Sequence, residues 1–100
     1  MKKLIASLLI MTSSSVMAGE TTGSFCTELS GFAKTVMESR QVGVPLSVVL
    51  EKIGKQGDLT MKIILSAYKK PRYTSESYQV KAVNEFETDW LVMCLESGGD

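Results

Sequence analysis

The stretch from Ser75 to Ser97 constrains this chain more than any other. Val83, Phe86, Trp90 and Met93 recur at spacings of three, four and three, which places them on one face of a helix. About 23 residues at 1.5 Å rise each make a rod of roughly 34 Å. No other predicted element is as long. The rod carries Cys94 near its end, and the other cysteine, Cys26, sits near the start of the first predicted helix.

Whether the two cysteines pair depends on compartment. Lys2 and Lys3 form a basic start, Leu4 to Met11 is almost wholly apolar, and Val16-Met17-Ala18 offers a cleavage site after Ala18. Residues 1–18 therefore read as a signal peptide and 19–100 as one small helical domain in the periplasm. The apolar run is too short for a permanent membrane span. No second such run exists, so no stable membrane insertion is expected after cleavage. In an exported chain, two cysteines favour a disulfide. Two thiols with no histidine in the chain make a poor zinc site. A Cys26–Cys94 bridge closes nearly the whole domain and contributes about 4 kcal/mol by loop entropy. A domain this small often needs such a staple.

Four helices are predicted. The first runs from Ser24, a candidate N-cap, to about Val42. Phe25, Leu29, Phe32, Val36 and Met37 form its expected buried stripe, with Cys26 beside it. Gly31 interrupts this helix at a cost of about 1 kcal/mol, and close approach of another backbone is one reason for it. Gly43 and Pro45 end the helix. Leu46 to Gln56 is a short second helix with Leu46, Val49, Leu50 and Ile53 inward and Ser47 as a candidate cap. Asp58 is the expected cap of a third helix, Leu59 to about Lys69, with Met61, Ile64, Leu65 and Tyr68 as its stripe and Ile63 and Ala67 widening it. Pro71 terminates it, and Thr74 or Ser75 caps the long fourth helix. If the cysteines pair, the first and last helices can pack antiparallel. Phe25 and Phe32 would then meet Phe86 and Trp90 in one core. The expected fold is all-α: a compact bundle of about four helices with one disulfide joining the first and the last.

Charge and composition exclude several chemistries. Of 11 basic residues, Lys2 and Lys3 fall in the signal peptide, whereas none of the 11 acidic residues does. The remainder is mildly acidic, which argues against nucleic-acid binding. Histidine, the usual acid–base group, is absent. No serine or cysteine has a histidine base, no Cys-x-x-Cys motif occurs, and no glycine-rich phosphate loop is present. Glu85 and Asp89 share a helix face at i,i+4, yet a solvated acidic face is the simpler reading of them. The chain is read as a non-enzyme without cofactor or metal.

The best binding candidate is the run containing Lys69, Lys70, Pro71, Arg72 and Tyr73. Three cations around a rigid proline, beside an aromatic ring, suit an acidic partner. Charges also segregate along the chain, with seven basic and two acidic residues from Lys52 to Lys81, then five acidic and no basic from Ala82 to Asp100.

The set comprising Cys26, Met37-Glu38-Ser39-Arg40-Gln41-Val42-Gly43-Val44-Pro45-Leu46, Ala67-Tyr68-Lys69-Lys70-Pro71-Arg72-Tyr73, Phe86 and Cys94 resembles a group of small exported proteins encoded by bacteria and their prophages. The resemblance implies a helical fold and an exported location, and it assigns no catalytic residue. The expected function is binding to another envelope protein through Lys69, Lys70, Arg72 and Tyr73. A prophage setting would direct this toward modulation of lysis or exclusion of a second phage. The alternative is an envelope stress protein or small chaperone, for which Met37, Met61 and Met93 would supply adaptable contacts.

Overall fold

The computed structural model describes residues 25–53 and 57–98. The signal peptide expected at 1–18, the cap expected at Ser24 and the end expected for the second helix at Gln56 lie outside these residues. The described residues form four helices: α1 over residues 25–42, α2 Leu46–Ile53, α3 Asp58–Tyr68 and α4 Glu76–Glu96. No strand occurs among the described residues.

The ends of the helices follow local chemistry. Gly43 adopts φ +95°, a left-handed conformation that costs glycine least. Its amide and that of Val44 bond back to the Ser39 carbonyl at 3.1 and 2.9 Å, which closes α1. The Pro45 carbonyl accepts from Val48 and Val49 and so starts α2 two residues before the expected Ser47 cap. Gly57, not Asp58, precedes α3; Asp58 is its first helical residue, where the helix dipole favours a carboxylate. Ser75 caps α4, its hydroxyl accepting from the Tyr78 amide at 3.3 Å.

Cys26 and Cys94 form a disulfide across 68 residues, with their Cα atoms 5.6 Å apart. The start of α1 is thereby fixed to the end of α4. At the other end, Gln41 and Val42 of α1 share a cleft wall with Glu76, Gln79 and Val80 of α4. The two helices therefore run antiparallel, and their pairing dominates the bundle.

The core gathers Ala33, Val36 and Met37 from α1, Val49 from α2, Ile63, Ile64 and Ala67 from α3, and Val83 and Phe86 from α4. Each fully buried aliphatic or aromatic side chain of this set contributes roughly 1.5–3 kcal/mol. Three expected stripes are rotated relative to the sequence reading. In α1 the expected Val36 and Met37 are buried, joined by Cys26, Ser30, Ala33 and Gln41, while Phe25 is half-exposed and Leu29 and Phe32 lie at the margin. In α3 Ile63, Ile64 and Ala67 are buried, as expected, but the line centres on them and turns Leu65 to solvent. In α4, Cys94 points inward with Val83 and Phe86, and Met93 points out. The disulfide accounts for both terminal shifts: turning Cys26 and Cys94 toward each other turns their neighbours Phe25 and Met93 about 100° away. Gly31 is exposed, and nothing lies within 4 Å of where its Cβ would stand, so no backbone approaches it.

No helix among the described residues is long and apolar enough to cross a membrane.

Candidate functional site

The connector from Lys69 to Tyr73 is the most heavily tied loop of the fold. It begins where Pro71 forbids continuation of α3. The Lys69 and Lys70 amides still close the helix, on the Leu65 and Ala67 carbonyls at 3.1 Å each. Beyond them the backbone would be unpaired without help from other elements.

That help comes mainly from Arg40 and Gln41, in the last turn of α1. Arg40 Nε donates to the Lys70 carbonyl at 3.0 Å. Gln41 is buried, with 2 % of its surface exposed. Its Nε2 donates to the Pro71 carbonyl at 2.9 Å, and its Oε1 accepts from the Tyr73 amide at 2.9 Å. A primary amide carries one donor group and one acceptor, so a single side chain pairs both the Pro71 carbonyl and the Tyr73 amide of the connector. Arg72 returns the contact, its Nε donating to the Gln41 backbone carbonyl at 3.0 Å. From α4, Gln79 Nε2 donates to the Tyr73 carbonyl at 2.6 Å.

Tyr68 anchors the end of α3 by donating its hydroxyl to the Val44 carbonyl at 2.6 Å. The Arg40 guanidinium lies over its ring, 5.3 Å from the centroid. Burial pushes the Tyr68 phenol above its ordinary 10.0, and the Arg40 cation pulls it partway back.

Between this connector and α4 lies a cleft of about 300 Å³. Its floor includes the buried Met37 and Phe86. Lys70 and Tyr73 line it from the connector, and Tyr78, Lys81, Glu85 and Asp89 from α4. Tyr73 and Tyr78 stack at a tilt with centroids 5.9 Å apart. Lys81 and Glu85 pair at 3.8 Å on the open surface, where such a pair adds little stability. The cleft therefore presents an apolar floor, an aromatic wall and both signs of charge.

The four expected binding residues separate here. Lys70 and Tyr73 line the cleft. Lys69 is exposed but stands outside it. Arg72 is a strut: its guanidinium packs over Gly43 while Nε holds α1. Glu85 and Asp89, which the sequence joins only through helix periodicity, do line one cleft together. No group of three or more metal-ligating side chains exists among the described residues.

Arg40 and Gln41 are the residues that sequence reading missed. The available signal was positional: Gln41 falls four residues after Met37 on the buried line of α1. A polar residue on an apolar stripe marks a buried hydrogen-bonding hub.

No protein-family model, no curated protein and no solved structure matches the chain.

Proposed function

We propose that this chain is a small periplasmic binding protein that docks another envelope protein through the connector and its cleft. One observation carries the reading. The backbone from Lys70 to Tyr73 is hydrogen-bonded to α1 and α4 at four points, yet the Lys69, Lys70 and Tyr73 side chains face solvent. A surface held rigid before contact loses little entropy on binding. Cations at the rim favour an acidic segment, and the tyrosine pair offers it an apolar edge. The resemblance to exported prophage-encoded proteins supports a partner in the lysis or phage-exclusion machinery.

The test is comparative capture from native periplasm by the wild type and by Lys70→Ala/Tyr73→Ala, with Lys52→Ala as an exposed control. The double variant is expected to lose a partner that the control retains. Equal capture by all three removes the site. Arg72 stays intact in this experiment, because its loss would loosen the connector itself.

The chaperone reading has less support. Of the three methionines it draws on, Met37 is in the core and Met61 is half-buried, which leaves Met93 exposed.

A further inference from the structure

We propose that the open groove between α3 and α4 is the interface of a two-fold homodimer. The groove is built on two adjoining depressions. One, near the disulfide, is lined by Phe25, Leu29, Leu59, Trp90 and Met93 among others. The next is lined by Ser66, Phe86, Trp90, Val92 and Met93. Trp90 and Met93 belong to both, so the two form one surface. Phe25, Leu59, Val92 and Met93 are each between 41 and 48 % exposed along it, far more apolar surface than scattered single residues would give.

The occupant follows from charge. On the α3 side Lys70 lines the groove, and the exposed Lys62 and Lys69 follow the lining residues Leu59 and Ser66 by three positions, which sets them on the same helical face at its edge. The α4 wall carries Asp89 and Glu96. The helices run antiparallel along the groove: Leu59 shares a wall with Glu96 at one end, and Lys70 shares one with Asp89 at the other. A two-fold axis lying along the groove sets α3 of one copy over α4 of the second. At matching levels Lys62 then meets Glu96 of the second copy, and Lys69 meets Asp89. The same pairs form twice, as an isologous interface requires. An apolar centre flanked by one basic and one acidic wall is thus complementary to itself. A partner of uniform charge would be repelled by one wall.

Sedimentation of the purified, oxidised chain across micromolar concentrations tests this. The wild type is expected to dimerise. Lys62→Glu/Lys69→Glu reverses two of the three cations on the α3 side, leaving Lys70, and Asp89→Lys/Glu96→Lys makes both walls basic. Each variant alone is expected to weaken dimerisation by about tenfold or more, and mixing the two is expected to restore a heterodimer. Val92→Glu, at an exposed position outside the core, is expected to be monomeric with unchanged helicity. A wild type that stays monomeric overturns the proposal, as does a mixture of the charge variants that fails to associate. A Val92→Glu chain that still dimerises overturns it too, since the contact then lies elsewhere. A monomer that binds unfolded polypeptide through this groove would replace the dimer with a chaperone surface.

Discussion

Gln41 on α1 and Pro71 in the connector are joined by a 2.9 Å hydrogen bond from side-chain amide to backbone carbonyl, across 30 residues of chain. The same side chain accepts from the Tyr73 amide. One buried amide thus fixes how the chain, after Pro71 has ended α3, turns toward α4. Gln41→Ala is expected to cost about 2–4 kcal/mol, from two lost bonds, the unpaired groups left behind and a small cavity. Chemical denaturation gives the loss. Hydrogen exchange at the Tyr73 amide gives its location, and that amide should exchange much faster in the variant.

The disulfide closes a loop of 68 residues. Its reduction, or replacement as Cys26→Ala/Cys94→Ala, is expected to remove about 4 kcal/mol. That is close to the whole net stability of a domain this size. Thermal unfolding followed by circular dichroism, with and without reductant, should show a large drop in midpoint or a loss of the cooperative transition.

Two glycines should respond oppositely to alanine. Gly43 has φ +95°, and a Cβ there would stand 3.0 Å from Arg72 Nη2. Gly43→Ala is expected to destabilise by about 1–2 kcal/mol through backbone strain and displacement of the Arg72 strut. Gly31 lies inside α1 with open space around it. Gly31→Ala is expected to stabilise by up to about 1 kcal/mol. Denaturation midpoints of the two variants, taken side by side, check both signs.

Tyr68 gives a pH dependence at the alkaline end. Its folded pKa is raised above 10.0, chiefly by burial. The protonated phenol is therefore favoured in the folded state. Its contribution is complete below 10.0, the unfolded value, and is lost as pH rises through the higher folded value. Tyr68→Phe removes one bond to the Val44 carbonyl, worth about 1 kcal/mol at neutral pH. The variant should also show a flatter stability profile above pH 10 than the wild type, as read from urea midpoints over that range.

Much of the fold was legible because its signals are local. Gly43 and Pro45 bound α1 and α2, Ser75 caps α4, and Pro71 stops α3, each through the conformation of one residue. The cysteine count, with its placement near the two ends, was enough to expect the staple. Which face of each helix is buried was harder to read. Periodicity identifies a stripe several residues wide, and Phe25, Leu65 and Met93 fit it as well as the residues that fill the core. The rotation was decided between helices: the disulfide turned Cys26 and Cys94 inward, and packing of α3 on Ile63, Ile64 and Ala67, all within its expected stripe, left Leu65 outside.

The candidate site divides along the same line. Composition and spacing by themselves determined that Lys69, Lys70, Arg72 and Tyr73 form a basic, aromatic turn after a helix. Tertiary structure alone decided that Arg72 braces α1 while Lys70 and Tyr73 open onto a cleft with Glu85 and Asp89. The reason is range. A cap or a turn is fixed by atoms a few residues apart, whereas the roles of Gln41 and Arg72 depend on bonds across about 30 residues, which exist only once the helices have packed.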